Sequence, residues 1–176
     1  MEYTINIKGH LMDLSTPQVM GILNVTPDSF YSGSRKQTEK EIADRANQII
    51  EEGGSIIDVG AFSTRPGADE VSEEEEGRRL KFALDIVRRE QSNVAISVDT
   101  YRPTLARKCI EEWGADIIND VSEGGITGIA NVPLEQREEE YPEMFRLVGE
   151  LKVPYILMSV QPTLATMMKG FAKEVQ

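Results

Sequence analysis

The hydrophobic positions of the chain follow two alternating spacings, one typical of buried strands and one typical of amphipathic helices. Five short apolar runs are typical of strands: residues 19–24, 55–59, 94–98, 116–119 and 154–158. Between these runs, apolar residues recur every three to four positions, which predicts a helix after each strand. This alternation predicts an α/β fold with a parallel sheet and helices on its outer faces.

Two of the predicted helices begin with a recognisable capping box. In the first, Thr38 is followed three residues later by Glu41, and in the second Ser72 is followed by Glu75. The hydroxyl and the carboxylate of such a box each accept a hydrogen bond from a backbone N–H that the helix leaves unpaired. A third helix is predicted from Pro103, whose fixed φ and missing N–H suit a first turn.

The two ends of the chain carry different signals. Residues 1–15 predict a short β-hairpin with strands at 3–7 and 10–13. A fifth helix is predicted from near Thr163 to Gln176, without a capping or stop signal at its end.

The alternating elements fit either a doubly wound sheet or a TIM-type (β/α)8 barrel. A complete barrel needs about 250 residues, so about five βα units would form an incomplete one.

Composition and charge limit the classes of partner. The formal net charge is −11, which disfavours nucleic acids and anionic membranes. The sequence has no apolar run of about 18 residues and no basic-then-apolar leader. Its single cysteine, Cys109, lies on the apolar side of a predicted helix and suits a reducing compartment. We therefore expect a cytoplasmic protein with no nucleic-acid or membrane partner.

Polar side chains end four successive predicted strands. These ends carry Asn24, Asp58, Asp99 and Asn119. Parallel strands point their carboxyl ends to the same side and bind ligands there, so these residues form a candidate site. Ionised Asp99 accepts hydrogen bonds and Asn119 both donates and accepts, which suits a planar heterocycle with adjacent donors and acceptors. The alternative is that polar residues and helix caps simply begin where strands end.

A loop that favours anions follows the second predicted strand. Residues 61–68 (AFSTRPGA) offer hydroxyl and guanidinium donors from Ser63, Thr64 and Arg65. Pro66 begins a Pro-Gly turn that can bring backbone close to a ligand, so the loop suits a phosphate-like group. The absence of a Cys/His cluster means that any metal would be bound through oxygen, with Mg²⁺ and a pyrophosphate as the natural candidates. A plain surface turn is the alternative interpretation.

Five segments together resemble the dihydropteroate synthase family. They are residues 20–30 (MGILNVTPDSF), 57–68 (IDVGAFSTRPGA), 96–100 (ISVDT), 117–122 (IINDVS) and 155–158 (YILM). The resemblance implies one TIM-type barrel domain over 1–176, incomplete at its C-terminus, with the hairpin at 1–15 and βα units one to five at 19–176. It also implies a transferase of folate biosynthesis. This enzyme joins 6-hydroxymethyl-7,8-dihydropterin pyrophosphate to p-aminobenzoate and releases pyrophosphate.

The same resemblance assigns roles to individual residues. It implies that Asn24, Thr64 and Arg65 take part in catalysis, with Asn24 also meeting Mg²⁺, and that Asp58 supports the site. Eight further residues would contact the substrates, the last three of them around the pterin: Asp28, Ser29, Phe30, Ser63, Pro66, Asp99, Asn119 and Met158. The p-aminobenzoate position near Pro66 would also be the target of sulfonamides.

The sequence departs from the family pattern at three places. Phe62 stands where glutamate is frequent, Glu123 is an additional residue, and Ser159 with Val160 replaces a frequent His-Met pair. The family's later Asp-Pro-Gly segment, pterin-binding lysine and Arg-x-His pair would follow Gln176. We therefore expect these 176 residues alone to be inactive and the full-length form to be a homodimer. The alternatives are a related methyltetrahydrofolate-dependent methyltransferase and a non-catalytic pterin-binding or interaction module.

Overall fold

Five parallel strands lie side by side in the order in which they occur along the chain. The structure, a computed structural model, describes residues 3–25, 35–62, 71–122 and 143–158. The strands in these ranges are β1 (Thr4–Ile7), β2 (His10–Asp13), β3 (Met20–Asn24), β4 (Ile56–Gly60), β5 (Ala95–Asp99), β6 (Ile117–Asp120) and β7 (Tyr155–Leu157). The helices are α1 (Arg35–Glu51), α2 (Glu73–Glu90), α3 (Pro103–Glu111) and α4 (Glu143–Leu151). The parallel sheet has the order β3-β4-β5-β6-β7, and β1 pairs with β2 in a separate antiparallel hairpin.

The four described helices pack in one layer, and this layer distinguishes between the two predicted architectures. Helices that follow one another along the chain contact one another: α1 with α2, α2 with α3, and α3 with α4. A doubly wound sheet would reverse its strand order at a switch point and place helices on both faces. Sequential parallel strands with one helix layer instead form part of the wall of a TIM-type barrel.

The main core lies between the sheet and the helix layer. The aliphatic side chains of β4 and β5 that face the helices are fully buried, among them Ile57, Val59, Ile96 and Val98. They belong to one cluster with the apolar stripes that the helical spacing predicts: Ile42, Ala46, Ile49, Leu80, Ala83, Leu84, Val87, Leu105, Cys109, Met144 and Leu147. Because side chains alternate along a strand, the intervening residues of β4 and β5 point to the opposite face of the sheet.

The helix boundaries confirm the Ser72 half of one predicted capping box, whose Glu75 carboxylate instead accepts from Arg78 and Arg79, and they correct the other box. Ser72 caps α2, because its hydroxyl accepts from the Glu75 N–H at 3.2 Å. Thr38 does not cap α1, because the helix begins at Arg35 and the Thr38 side chain is buried within it. Arginine, lysine and glutamine are good helix formers, so residues 35–37 extend the helix beyond the motif. None of the described helices has both the length and the apolar character needed to cross a membrane.

The β1–β2 hairpin, predicted from the sequence and confirmed by the structure, covers the amino-terminal end of the sheet. Ile7 packs with residues that begin three of the parallel strands, Ile56, Ala95 and Ile117. Lys8, in the hairpin turn, forms an ion pair with the buried Asp116 at 2.8 Å. This end of the sheet is therefore covered, and the polar strand ends lie at the other end.

The outer strands of the sheet, β3 and β7, each have one strand neighbour among the described residues. Ile22 on β3 and Leu157 on β7 are large apolar residues with exposed side chains. The Arg45 guanidinium donates to the Ile22 carbonyl through Nε and Nη2, each at 3.3 Å, and so satisfies one backbone acceptor of β3. The fifth helix predicted from Thr163 lies outside the described residues.

Gly21 lies where β3 packs against α1, and its lack of a side chain is required there. A Cβ at this position would overlap Ile49 Cγ2. We expect Gly21→Ala to lower the free energy of unfolding by about 1–3 kcal/mol, because the buried Ile49 side chain must shift. Gly149→Ala on α4 is the matched control, since a Cβ there meets nothing within 4 Å. It should raise the free energy of unfolding by up to about 1 kcal/mol.

Urea denaturation of the two variants measures both effects. Equal changes in the free energy of unfolding would contradict the close contact between Gly21 and Ile49.

Candidate functional site

One row of residues crosses the carboxyl-terminal ends of four neighbouring strands. The parallel register places Asn24 beside Gly60, Gly60 beside Asp99, and Asp99 beside Asn119. Residues in register on parallel strands point to the same face, and this row alternates with residues that face the helices. The polar residues that the sequence placed at strand ends are therefore neighbours on the face of the sheet opposite the helix layer. Their functional roles remain predictions.

Gly60 lies between Asn24 and Asp99 and leaves room for both side chains. A Cβ at position 60 would lie 2.8 Å from Asn24 Oδ1 and 3.5 Å from Asp99 Oδ2. The first distance is too short for a real contact, so any larger residue would displace the Asn24 amide. Sequence reasoning missed Gly60, although a glycine at the end of an apolar strand can indicate a close approach by another group.

Asp58 lies on the same face of the sheet as the row, two residues before Gly60 on β4, and its carboxyl group binds the Asn119 side chain. Asn119 Nδ2 donates to Asp58 Oδ2 at 3.0 Å, and both side chains are buried. Burial raises the pKa of Asp58, whereas the neighbouring Ser97 hydroxyl and the Asn119 amide lower it. The Ser97 hydroxyl lowers the pKa of Asp58 from close by, although it makes no hydrogen bond of full geometry to any of the described residues. Since the Asn119 nitrogen faces Asp58, its oxygen is left to act as an acceptor.

Two buried oxygens of the row have no hydrogen-bond donor among the described residues. They are Asp99 Oδ1 and Asn119 Oδ1. Buried polar atoms are nearly always paired, and an unpaired one costs roughly 1–3 kcal/mol. The row therefore presents two acceptors on adjacent strands that a ligand with N–H donors would satisfy.

The Asp99 carboxyl is electrostatically unusual. Its pKa is raised to about 7, chiefly because burial disfavours the charged form. The negative charges of Asp58, Asp120 and Glu76 raise the pKa further, in that order. Near neutral pH, Asp99 therefore exists both as a carboxylate and as a neutral acid, and donors from a ligand would favour the carboxylate.

Two other polar residues at strand ends do not belong to the row. Thr100 Oγ1 donates to Glu76 Oε1 on α2 at 2.6 Å. Asp120 accepts from Tyr155 Oη at 2.7 Å and from the Ser122 N–H at 2.7 Å. A polar residue at a strand end is therefore not by itself evidence of a place in the site.

The described residues include the strand ends, but not residues 63–68 of the predicted anion-binding loop and not residues 28–30. Seven predicted site residues lie outside them: Asp28, Ser29, Phe30, Ser63, Thr64, Arg65 and Pro66. The departures at Glu123, Ser159 and Val160 lie outside them as well. Met158 directly follows β7 with its side chain exposed, and its N–H donates to the Asp120 carbonyl at 3.1 Å. Its predicted contact with a pterin remains a prediction.

A parallel β/α wall with one covered end and a polar row at its strand ends defines a class of protein. This is the class of barrels that bind small molecules at the carboxyl ends of their strands. The chain belongs to the pterin binding enzyme family, whose sequence profile matches residues 20–176.

Individual relatives agree with this assignment. The chain is 39% identical over 163 residues to the dihydropteroate synthase of Escherichia coli (strain K12), covering 93% of this chain and 52% of that protein. It is similar to the solved Xanthomonas albilineans dihydropteroate synthase with 4-aminobenzoic acid (TM-score 0.73, 31% identity, 99% of this chain and 60% of that one). The same enzyme with 7,8-dihydropteroate gives a TM-score of 0.68 at 27% identity, covering 98% and 58%. The chain spans about half the length of the E. coli relative, and the structural likeness confirms the TIM-type barrel.

The electrostatic coupling between Asp58 and Asp99 can be tested directly. Among the charged neighbours of Asp99, Asp58 has the largest effect on its pKa. We expect Asp58→Asn to lower the pKa of Asp99 below about 7, because a negative charge is removed while the shape is kept. Carbon-detected NMR titration of the Asp99 carboxyl measures the change. Asp85→Asn, on the exposed side of α2, should leave this pKa in place; an unchanged pKa in both variants would contradict the coupling.

Proposed function

We propose that this chain forms the first five βα units of a dihydropteroate synthase. This enzyme joins 6-hydroxymethyl-7,8-dihydropterin pyrophosphate to p-aminobenzoate and releases pyrophosphate. The observation that carries the proposal is the in-register row with its two unpaired buried acceptors, Asp99 Oδ1 and Asn119 Oδ1. The E. coli relative of that name and the structural neighbours with 4-aminobenzoic acid and 7,8-dihydropteroate support it.

The two acceptors suit the amino-pyrimidinone edge of a pterin. That edge presents a ring N–H and an exocyclic amino group side by side, and both are donors. An ionised Asp99 accepts from this pair, and the Asn119 oxygen accepts a further N–H. Hydrogen bonds to a charged group contribute roughly 1.5–3 kcal/mol each, so Asp99 would supply much of the pterin affinity.

The proposed reaction is a substitution at the methylene carbon attached to the pterin ring. The amine nitrogen of p-aminobenzoate attacks this carbon, the carbon–oxygen bond to pyrophosphate breaks, and the nitrogen then loses a proton. Positive charge that develops on the ring is stabilised by the nearby Asp99 carboxylate. A neutral aromatic amine needs no strong protein base. This agrees with the position of the only histidine, His10, on β2 at the opposite end of the sheet.

Asn24 is the residue that we propose to hold Mg²⁺ together with the pyrophosphate of the substrate. Its amide oxygen lies next to Gly60 at the exposed end of β3. Mg²⁺ keeps several waters and takes few protein ligands when it also binds phosphates. The bound ion would neutralise charge on the departing pyrophosphate. Thr64, Arg65 and Pro66 are proposed to lie near the pyrophosphate and p-aminobenzoate.

Location and assembly are part of the same proposal. Cys109 is buried and unpaired, which suits a reducing compartment, and we propose the cytoplasm. The net charge of −11 supports small-molecule substrates over nucleic acid or an anionic membrane surface. On the family resemblance we also propose a homodimer of the full-length form and a p-aminobenzoate position that is the target of sulfonamides.

The activity is tested by incubating the protein with the pterin pyrophosphate, p-aminobenzoate and Mg²⁺ and measuring pyrophosphate release. Two forms are compared: the 176 residues alone, and the same chain with any residues that its gene encodes after Gln176. We expect release by the longer form only. Release by the 176 residues alone would contradict the need for further strands. Pterin binding without release in either form would favour the non-catalytic alternative, and methyl transfer from methyltetrahydrofolate would favour the methyltransferase.

The role of Asp99 predicts a pH dependence of pterin affinity. Below a pKa of about 7 the carboxyl gains a proton and loses its capacity to accept from both donors. Affinity for the pterin should therefore fall with decreasing pH, approaching tenfold per unit below about pH 7. Asp99→Asn should bind at least about tenfold more weakly at pH 8 and lose this pH dependence. Calorimetric titration from pH 6 to pH 8 measures both, with Asp85→Asn as the control; an unchanged affinity in Asp99→Asn would remove Asp99 from its proposed role.

A further inference from the structure

Two arginines, the buried Arg79 and the partly buried Arg102, donate to the backbone carbonyls on either side of residues 63–70. We propose that Glu75, Glu76, Arg79 and Arg102, here called the stem network, are positioning residues. They fix the two ends of this segment relative to the strand that carries Asp99. The functional consequence of this proposal rests on the proposed function, because residues 63–70 include Thr64 and Arg65, two of the three predicted catalytic residues.

The first contact holds the amino-terminal end of the segment. Arg79 is 3% exposed, and its Nη1 donates to the Ala61 carbonyl at 3.3 Å. Its Nε also donates to Glu75 Oε1 at 2.7 Å, on the same helix. Ala61 directly follows the last residue of β4, Gly60, so Arg79 fixes the direction in which the chain leaves the row.

The second contact holds the carboxyl-terminal end. Arg102 Nη2 donates to the Val71 carbonyl at 2.7 Å, and Arg102 Nη1 donates to Glu76 Oε2 at 2.6 Å. Glu76 is completely buried, and its other oxygen accepts from Thr100 at 2.6 Å. Thr100 is the residue after Asp99, so one continuous set of hydrogen bonds joins Val71 to the end of β5.

Aromatic packing joins the two ends through the same short stretch of chain. The Phe62 and Tyr101 rings meet edge to face with centroids 5.1 Å apart. The Arg102 guanidinium lies 5.2 Å from the centre of the Tyr101 ring and donates to its hydroxyl at 3.1 Å. Phe62, one of the departures from the family pattern, therefore has a specific partner beside the stem network.

The energetics favour a positioning role over a purely stabilising one. Burying Glu76 and Arg79 carries a desolvation penalty that pairing only partly offsets, and apolar residues of similar volume often stabilise as well or better. What an apolar cluster cannot do is bind a particular carbonyl in a particular direction. Each guanidinium of the stem network does this, with one carbonyl bonded on each side of the segment.

The test compares four variants of the protein, including any residues encoded after Gln176. Arg102→Met removes the bonds to Glu76 and Val71, and Arg102→Lys keeps the charge but not the fork of donors. Glu76→Gln combined with Arg102→Met removes the unpaired buried charge that Arg102→Met alone would leave. Arg107→Met is the matched control, because Arg107 lies on α3 and pairs at the surface with Glu111 and with Glu150 on α4.

Hydrogen exchange of the unliganded protein is measured first and does not depend on the proposed function. Arg102→Met should accelerate exchange about tenfold or more around Val71 and in the first turn of α2, with little change in β6 and α4. Arg107→Met should leave the exchange rates around Val71 and in the first turn of α2 unchanged. Equal acceleration throughout the chain, or none around Val71, would overturn the proposal.

Steady-state kinetics then tests the positioning role. Arg102→Met and the double variant should lower kcat/KM for p-aminobenzoate about tenfold to a hundredfold. The pterin dissociation constant should stay within about twofold, because the Asp99–Asn119 row is untouched. Arg102→Lys should recover part of the loss. Equal losses for both substrates, or full recovery of kcat/KM in the double variant, would overturn the positioning role. Failure of the wild type to bind pterin would overturn the proposed function and leave the exchange result standing.

Discussion

The parallel register of β3, β4, β5 and β6 is the constraint on which the rest of the structure depends. It places Asn24, Gly60, Asp99 and Asn119 at one level and on one face. Because side chains alternate along a strand, a slip of one residue in any of these strands would turn its polar end toward the helices. The aliphatic residues between the polar ones prevent this, since they must stay in the core with the helix layer. Hydrophobic burial thus determines the position of the polar site.

The same arrangement concentrates acidic side chains behind the site, and they differ in how fully they are satisfied. Asp120 accepts from Tyr155 and Ser122, and Glu76 accepts from Thr100 and Arg102. Asp99 has one buried oxygen without a donor among the described residues. Asp58 likewise has one buried oxygen without a donor there, and its charge, followed by the charges of Asp120 and Glu76, raises the pKa of Asp99. A ligand with N–H donors could therefore bind the Asp99 oxygen that has no donor among the described residues.

Local sequence signals predicted the elements of this fold because each has a local physical cause. The apolar runs, the Ser72 cap and the start at Pro103 could be read without tertiary information, and the structure has them in place. The choice between a doubly wound sheet and a barrel needed the family resemblance, because both share the same alternation of elements. The Thr38 capping box was wrong because a cap motif does not prevent good helix formers from extending a helix.

The candidate site was partly predictable for a similar reason. Asn24, Asp58, Asp99 and Asn119 could be found because strand ends converge in any parallel sheet. Gly60 was missed although its position gave a weak local signal, and the stem network could not be found, since their importance lies in contacts between residues up to 39 positions apart. Nothing in the sequence around Arg102 indicates that its partners are Val71 and Glu76.

The near-neutral pKa of Asp99 has a thermodynamic consequence for whatever binds there. A ligand that requires the carboxylate expels the proton that part of the population carries, so binding is also an acid–base exchange with the solvent. The buffer takes up the released proton, so the measured heat of binding includes the ionisation heat of the buffer. The binding enthalpy recorded at pH 7 would therefore differ between buffers. Inside a cell, the same exchange makes occupancy of the site respond to small changes in the pH of its surroundings.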